Sequence, residues 1–272
     1  AYIGGGFESA GLKWISSFPE NVNQGIERAS AVMILNSVKN GRAKAIMECA
    51  KISASRTGAS AALAGSTMAR RNSNGVVVFI GCGPINLEVA RYLRVLNYPV
   101  SEFVIYDINI DRANSFVESL RGISDNIPCK VSTDLNKSLS SGHMVSIATS
   151  AVKPFINDLS MCQPGSVILH VSLRDIAPEC LLNVENVVDD IDHVCRANTS
   201  LHLLEQQTGG REAIRCEIAD IFSNKTSPYV NENAITVFNP FGLGVLDLAL
   251  SSWIYDKAEE TSLGTKFPFY EN

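Results

Sequence analysis

Short apolar runs alternate with amphipathic stretches along the middle of the chain. The apolar runs are rich in β-branched residues and end in polar or turn residues, which is the pattern of strands buried on both faces. They predict strands at 76–80, 103–107, 128–132, 144–148, 166–171 and 186–189. Helical patterns at 87–96 and 111–120 separate the first of these strands. Because strand and helix alternate, the predicted fold class is α/β, with a doubly wound parallel sheet and right-handed crossovers.

The first 72 residues form a separate region. Apolar runs predict strands at 31–35 and 44–48, and the small-residue stretch 53–69 predicts a helix packed closely on a flat surface. The polar, turn-rich segment 70–75 then indicates a domain boundary.

The end of the chain predicts a helix at 212–222, a strand at 235–240 and a final helix that opens within 241–250. We expect the strand and the final helix to return to the first region. The predicted domains are therefore 1–72 completed by 235–272, which make one α/β domain, and 73–234, which carries the parallel sheet.

Composition narrows the functional classes. Of the 272 residues, 46% are apolar and 19% charged, which allows a large core and argues against a disordered chain. The 23 basic and 28 acidic residues give a net charge of −5, which does not suggest a nucleic-acid-binding surface. No apolar run reaches the roughly 18 residues of a membrane-spanning helix, and we find no signal sequence.

The seven cysteines are scattered, odd in number and without a C-x-x-C pair. This usage predicts reduced thiols and a cytoplasmic protein. Among the four histidines, only His193 has potential ligands nearby, in Asp190, Asp192 and Cys195. Because no paired Cys or His motif accompanies them, we expect no structural metal.

A glycine turn follows the first predicted strand of the sheet. Gly81 and Gly83 flank one residue, and a helix opens after them with Pro84 and Ile85 in its first turn. Such a turn gives a phosphate access to backbone N–H groups and to the positive end of a helix. Asp107 lies 26 residues after Gly81, at the end of the next strand, where a carboxylate accepts hydrogen bonds from ribose hydroxyls. The pattern predicts a Rossmann-type dinucleotide site.

The preferred cofactor is NAD, because Asp107 would repel a 2′-phosphate and no arginine directly follows it. The alternative is a plain tight turn between strand and helix. Asn86 also departs from the usual pattern, since a third glycine or alanine is expected there, and it should hold helix and strand further apart.

A further strand ends in Ala148, Thr149 and Ser150 on the same sheet edge. The two hydroxyls are candidates to face the ribose or the nicotinamide. Capping of the next turn is an equally good reading.

Three charged residues, Lys13, Arg56 and Asp247, each stand among small or apolar neighbours. A charge is costly to bury unless it is paired or serves a ligand, so all three are candidate functional residues. The alternative for each is a side chain that snorkels to solvent or lies exposed.

Several short segments match, in the same order along the chain, the sequence motifs of one protein family. They are GLKW at 11–14, SRTGA at 55–59, GCGP at 81–84, Asp107, SIATSA at 146–151 and FGLGVLDLA at 241–249. Together they span nearly the whole chain and resemble the ornithine cyclodeaminase/mu-crystallin family. Two further segments, 170–176 and 190–200, are similar to the branch of dehydrogenases that make 2,3-diaminopropionate for siderophores. Cyclodeaminases instead carry a Gly/Asp-rich segment ending in Gly-Lys where this chain has SLRDIAPE.

The resemblance implies a role for each matching residue. Lys13 would contact the substrate carboxylate or assist proton transfer, and Arg56 would hold that carboxylate. Asp247 would be the catalytic acid that handles the amine proton or activates water. Thr57 would lie near the cofactor phosphates, and Ser172, in the first branch-specific segment, is a further expected cofactor contact.

Arg174 has no family-wide counterpart, and we expect it to serve an additional substrate carboxylate. Its alternative is a surface ion pair with Asp175 or Glu179. The resemblance also implies a homodimer built through the first region, which with the C-terminal segment would form the substrate and dimerisation domain. The family's N-terminal stretch, with another carboxylate-binding arginine, has no counterpart in this sequence, which opens at Ala1. We expect either that this stretch has been removed or that the chain cannot bind its substrate fully.

The implied activity is NAD-dependent oxidative hydrolysis of an amino-acid conjugate, N-(2-amino-2-carboxyethyl)-L-glutamate. Three alternatives stay open. One is ornithine cyclodeaminase, which yields proline and ammonia without net NADH. The others are an NADPH-binding protein of mu-crystallin type, which Asp107 disfavours, and a dehydrogenase that reduces imines or acts on alanine.

Overall fold

The computed structural model describes residues 1–70, 73–124 and 126–267, and its chain divides into two compact units. Unit 1 contains Ala1–Arg56 and the residues from Leu243 onward, and unit 2 contains Thr57–Gly242. Among the described residues, none of the helices combines the length and the apolar character needed to span a membrane.

Unit 2 contains an eight-stranded sheet in which every pair of neighbours is parallel. Its strands are β5 Val76–Ile80, β6 Glu102–Tyr106, β7 Cys129–Val131, β8 Met144–Ile147, β9 Val167–His170, β10 Glu185–Val188, β11 Ile214–Glu217 and β12 Thr236–Asn239. The strand order is β11-β10-β12-β9-β8-β5-β6-β7. The order therefore reverses beside β5, which is where open α/β sheets form a ligand crevice. The predicted α/β class with a doubly wound parallel sheet is confirmed.

Helices cover both faces of this sheet. They are the later part of α1 Ala50–Met68, α2 Pro84–Val95, α3 Ile110–Arg121, α4 Leu135–Ser141, α5 Ile191–Val194, α6 Ser200–Thr208 and α7 Ile218–Phe222. A 3₁₀ helix spans Pro178–Asn183. Alternate residues of β5 enter opposite cores: Phe79 packs with α2 and α3, whereas Ile80 lies in the core that includes α4 and α6. Strands buried on both faces explain the uninterrupted apolar runs in the sequence.

Unit 1 is built on a four-stranded antiparallel sheet in the order β1-β2-β3-β4. Its elements are β1 Tyr2–Ile3, β2 Ser9–Ser17, a 3₁₀ helix Pro19–Gln24, β3 Ala29–Asn36, β4 Ala43–Glu48, the first turns of α1 and α8 Gly244–Glu260. On the inner face, Met33 and Leu35 pack against Ile52 of α1 and Leu248 of α8. The outer face carries exposed apolar side chains, among them Trp14 and Ile46.

The unit boundaries differ from the predicted domains at 72 and 235. The first division falls inside α1, between Arg56 and Thr57, because the small residues of the later part of α1 pack on the parallel sheet: a Cβ on Gly65 would contact Met144 and Leu169. Strand β12 does not return to the first region. It lies inside the eight-stranded sheet between β10 and β9, and only α8 belongs to unit 1.

The helix predicted at 212–222 is wrong in its first half. Residues Ile214–Glu217 form β11, which pairs with β10 at the edge of the sheet, and only Ile218–Phe222 is helical. A segment as short as Ile-Arg-Cys-Glu is locally compatible with a strand or a helix, and pairing with β10 makes it a strand.

Candidate functional site

The glycine turn of unit 2 lies at the carboxyl end of β5. Gly81 has φ +89°, and a Cβ there would lie 2.4 Å from the carbonyl oxygen of Ala148, so any larger residue would strain the backbone. Gly83 is the N-cap of α2 and faces open space, with no atom within 4 Å of a Cβ built on it. The turn thus combines one glycine required by the fold with one that leaves room for a ligand.

The first turn of α2 fits the pyrophosphate of a dinucleotide. No side chain caps this helix, and the N–H groups of Ile85 and Asn86 are too near its start to have intrahelical partners. Pro84 occupies the first helical position, where a missing N–H costs nothing. Backbone donors and the helix dipole therefore face the space in front of Gly83.

Asp107 follows β6 and is half-buried beside this turn. Its two carboxylate oxygens accept the backbone N–H groups of Cys82 at 2.8 Å and Asn109 at 2.9 Å. Each oxygen keeps a lone pair, so the carboxylate can still accept from ribose hydroxyls. Burial, reinforced by the charge of Asp107, raises the pKa of the Cys82 thiol to about 12, so this cysteine is protonated at neutral pH.

Asn86, which the sequence predicts to keep helix and strand further apart, makes hydrogen bonds between them. Its side chain is fully buried, and its Nδ2 donates to the carbonyl oxygens of Gly81 at 2.6 Å and Ile80 at 3.1 Å. The Oδ1 accepts the hydroxyl of Ser146 at 2.7 Å. The amide therefore ties the start of α2 to the ends of β5 and β8.

The residues after β8 reach the same sheet edge. Ala148 and Thr149 are half-buried, Ser150 is exposed, and Ser172 follows β9 next to them. The Thr149 hydroxyl accepts the N–H of Ala151, so Thr149 does cap the following turn. The same hydroxyl also hydrogen-bonds the carboxylate of Asp175.

Unit 1 brings Lys13, Arg56 and Asp247 together around one oxygen. Lys13 Nζ lies 2.9 Å, and Arg56 Nε 3.1 Å, from Asp247 Oδ2. Lys13 is an inward-facing residue of β2 and also donates to Ser53 Oγ in α1 at 3.2 Å. Asp247 stands in the first turn of α8, where the helix dipole favours a carboxylate. We call these three residues the charged cluster.

The charged cluster has more positive than negative charge. Asp247 is fully buried, whereas the side chains of Lys13 and Arg56 remain 16% and 13% exposed, so the cations reach solvent and the carboxylate does not. Within the described residues, Oδ1 of Asp247 accepts no hydrogen bond. A buried acceptor beside two cations fits an anionic ligand that also brings an N–H or O–H donor.

Two other predicted residues lie apart from these groups. Arg174 is half-buried and donates from Nη2 to the carbonyl oxygen of Ala197 at 2.7 Å. Its suggested ion-pair partners are occupied elsewhere, since Asp175 binds Thr149 and Glu179 binds a glutamine side chain. Thr57 is half-buried in α1, at the start of unit 2.

Sequence reasoning missed the polar residues behind the sheet edge. His170 and Asp175 are both fully buried, with His170 Nε2 3.3 Å from Asp175 Oδ2. Asp189, after β10, accepts the N–H groups of Phe241 and Gly242, and burial raises its pKa despite them. A histidine and carboxylates at the ends of apolar runs were the available signal.

Comparison with known proteins agrees with the resemblance. A family model described as "Ornithine cyclodeaminase/mu-crystallin family" matches residues 1–262. The chain is 25% identical to N-((2S)-2-amino-2-carboxyethyl)-L-glutamate dehydrogenase of Staphylococcus aureus, over 99% of this chain and 81% of that protein.

Two solved structures are similar over the same extent. The Thermococcus litoralis Delta(1)-pyrroline-2-carboxylate reductase, solved in complex with NADH and L-proline, has a TM-score of 0.89 at 25% identity and covers 96% of this chain and 81% of its own. An archaeal alanine dehydrogenase dimer with bound NAD has a TM-score of 0.85 at 26% identity, with the same coverage.

The two glycines of the turn should respond differently to alanine. We expect Gly81→Ala to lower the free energy of unfolding by about 1–3 kcal/mol, because its Cβ meets the Ala148 carbonyl at positive φ. Gly83→Ala should change stability by less than about 0.5 kcal/mol and weaken NADH binding at least about tenfold, because its Cβ enters the space for the phosphates. Thermal unfolding and calorimetric titration measure the two effects. Unchanged NADH affinity in Gly83→Ala would contradict the phosphate assignment.

Proposed function

Because the chain belongs to the ornithine cyclodeaminase/mu-crystallin family, we propose that it is an NAD-dependent dehydrogenase acting on a CH–NH bond of an amino-acid conjugate. The proposed substrate is N-(2-amino-2-carboxyethyl)-L-glutamate, the substrate named for the Staphylococcus aureus relative. Similarity to that relative extends over nearly the whole chain, and the branch-like segments 170–176 and 190–200 support the same choice.

The charged cluster is the observation that carries this proposal. A substrate with several carboxylates and a secondary amine matches two cations around a buried carboxylate whose Oδ1 is unoccupied among the described residues. In our assignment, Arg56 binds the carboxylate beside the reacting carbon, because a guanidinium can grip it with two parallel hydrogen bonds. Lys13 binds the same carboxylate or assists proton transfer.

Asp247 is the proposed general base. It would take the amine proton as the C=N bond forms and give that proton up again before it takes one from the attacking water. Both steps require an acceptor atom that no protein donor satisfies. Arg174 would serve an additional substrate carboxylate while remaining bound to the Ala197 carbonyl.

Unit 2 supplies the proposed cofactor site. Gly81, Gly83, Pro84 and Ile85 would surround the pyrophosphate, and Asp107 would bind the adenosine ribose. The remaining proposed contacts are Thr57, Ala148, Thr149, Ser150 and Ser172. NAD rather than NADP is the proposed cofactor, because the Asp107 carboxylate repels a 2′-phosphate.

The proposed reaction is an oxidation followed by hydrolysis. NAD, when bound, supplies the acceptor for the hydride that leaves Cα of the glutamate moiety. The Cα–N bond becomes a C=N bond, water adds to its carbon, and the C–N bond then breaks. The products are 2-oxoglutarate, whose keto oxygen comes from water, and L-2,3-diaminopropionate, together with NADH and a proton. The chain's contribution is orientation, carboxylate binding and one base.

A cyclodeaminase is the second candidate function, because it needs the same cofactor and the same charged cluster. It would return the hydride within one turnover and release proline and ammonia from ornithine. A third candidate function is a dehydrogenase or reductase that acts on a simple imine or amino acid, as the reductase and alanine dehydrogenase relatives suggest. We place the enzyme in the cytoplasm, as its seven free cysteines suggest, and in 2,3-diaminopropionate supply for siderophore or antibiotic precursors.

We also propose a homodimer formed through the outer face of the unit 1 sheet. Trp14 on β2, Val32 on β3 and Ile46 on β4 are 77%, 42% and 61% exposed and lie on the same face. Trp14 pairs with Val32, and Ile46 lies in the neighbouring row, where Ile34 pairs with both Ile46 and Leu12. Such a continuous apolar sheet face usually marks an interaction site. The partner is a second copy of this chain, since a two-fold axis pairs one apolar face with itself and the archaeal relative was solved as a dimer.

Product formation tests the proposed activity directly. The chain mixed with NAD and N-(2-amino-2-carboxyethyl)-L-glutamate should produce NADH, 2-oxoglutarate and L-2,3-diaminopropionate in equal amounts, followed by NADH absorbance and mass spectrometry. L-Ornithine serves as the competing substrate. Proline and ammonia without net NADH would replace the proposal by a cyclodeaminase.

Replacing Asp247, the proposed base, should slow the reaction without weakening cofactor binding. We expect Asp247→Asn to lower kcat at least about a hundredfold, because an amide cannot accept the proton, while NADH affinity changes less than about twofold. Asp256→Asn, at an exposed position of the same helix, is the matched control and should behave as wild type. Wild-type kcat in Asp247→Asn would exclude this residue as the base.

A charge placed on the outer face of the unit 1 sheet should disrupt the proposed dimer. Ile46→Lys introduces two buried, unpaired charges per dimer and should weaken association by about 2 kcal/mol or more. Light scattering after size exclusion should show a shift from dimer to monomer. Val230→Lys, at an exposed apolar position of unit 2, should leave the dimer intact. A monomeric wild type at micromolar concentration would refute the interface.

A further inference from the structure

A chain of buried polar side chains runs behind the carboxyl edge of the parallel sheet. It links Thr149 after β8, Ser172 and Asp175 after β9, His170 in β9 and Asn239 in β12. His170, Asp175 and Asn239 are at most 1% exposed, whereas Thr149 and Ser172 are half-buried. We call these five residues the Asp175 network. Only its two hydroxyl residues can meet a ligand.

The donor and acceptor of each hydrogen bond in the network can be assigned by starting from Asn186, which contacts Asn239. Asn186 uses its Nδ2 to donate to the carbonyl oxygens of Leu181 and Ala213, which leaves its Oδ1 as an acceptor. Asn239 Nδ2 donates to that Oδ1 at 3.3 Å, so Asn239 Oδ1 faces His170 Nδ1 at 2.9 Å. An amide oxygen only accepts, and His170 Nδ1 must therefore carry a proton.

Asp175 lies at the other side of this imidazole. His170 Nε2 is 3.1 Å from the backbone N of Asp175 and 3.3 Å from its Oδ2. A neutral ring accepts the N–H, and a protonated ring donates to the carboxylate from the same atom. Burial alone would raise the pKa of Asp175, but the hydrogen bonds of His170, Ser172 and Thr149 outweigh it and hold the pKa below its usual value. The Thr149 hydroxyl contacts Oδ1 of Asp175 and the Ser172 hydroxyl contacts Oδ2, so each carboxylate oxygen is placed to accept one hydroxyl proton, as an ionised carboxylate does.

An ionised Asp175 decides where both hydroxyl protons go. Thr149 and Ser172 each make a short contact with the carboxylate and must donate to it. The Ile147 carbonyl also lies 3.1 Å from Ser172 Oγ, but it is uncharged and already accepts two backbone N–H groups. Each hydroxyl oxygen in turn accepts one N–H, from Ala151 to Thr149 and from Thr149 to Ser172.

One lone pair and no proton remain on each hydroxyl, since a hydroxyl has one donor and two acceptor sites. Thr149 and Ser172 therefore present only acceptors to a ligand. Phosphate oxygens do not donate, so these two residues suit the part of a dinucleotide that carries hydroxyl and amide donors. That part must lie on the β8 and β9 side of β5, because Asp107 occupies the opposite, β6 side.

We propose that Asp175 is a positioning residue that commits the hydroxyl protons of Thr149 and Ser172, so that their oxygens accept hydrogen bonds from the nicotinamide riboside half of the cofactor. The inference rests on the proposed NAD-dependent function and assigns a donor–acceptor polarity to that site. A buried carboxylate is a poor means of stabilising a fold, which favours this role in ordering the edge.

The test compares two ligands that share adenosine and pyrophosphate. NADH contains the nicotinamide riboside, and ADP does not. We expect Asp175→Asn to raise the calorimetric Kd of NADH about tenfold or more, because the amide donates as well as accepts and leaves one hydroxyl wrongly oriented. The Kd of ADP should change less than about twofold. Thr149→Val should show the same split, and Thr149→Ser should bind NADH as wild type.

The matched control is Asp158→Asn. Asp158 also accepts a serine hydroxyl, from Ser160 at 2.9 Å, but it is exposed and outside the network, so both affinities should stay at the wild-type values. If thermal unfolding shows that Asp175→Asn does not fold, Thr149→Val and Ser172→Ala decide the matter. Equal weakening of NADH and ADP, or no weakening of NADH, overturns the inference. Failure of the wild type to bind either ligand overturns the cofactor site itself.

Discussion

The parallel hydrogen bonding of the eight-stranded sheet is the constraint on which unit 2 depends. Parallel strands bring their carboxyl ends to one edge, so residues far apart in sequence become neighbours there. The glycine turn after β5, Asp107 after β6 and Thr149 after β8 all reach that edge in this way. Because the strands are buried on both faces, the chemistry of the unit is concentrated in the residues at and just beyond the strand ends.

The main feature of unit 1 is a carboxylate that is buried away from water. Asp247 is fully buried and is stabilised by Lys13, Arg56 and the N-terminus of α8. Two cations around one anion leave an excess of one positive charge, which an acidic ligand would offset. The same charges that stabilise the buried Asp247 carboxylate are the ones we propose to bind the substrate carboxylate, which links the stability of the unit to its proposed function.

Buried polar side chains in unit 2 fix which neighbouring groups donate and which accept hydrogen bonds. Asn86 joins β5, β8 and α2 by donating with one end of its amide and accepting with the other. Asp175 orients two hydroxyls in the same manner. Each of these hydrogen bonds fixes the orientation of a hydroxyl or amide group. A site whose donors and acceptors are already oriented loses less conformational entropy when it binds a ligand.

The sequence by itself determined the strand–helix alternation, the glycine turn, the acid at 107 and the identity of the three charged residues, because these signals are local or lie in short motifs. Only the tertiary structure decided that β12 enters the parallel sheet, that 214–217 is a strand and that α1 is shared between two units. It also decided that His170, Asp175 and Asn239 form one network. Strand order and edge pairing are set by crossovers between distant segments, and no local period encodes which apolar runs become neighbours.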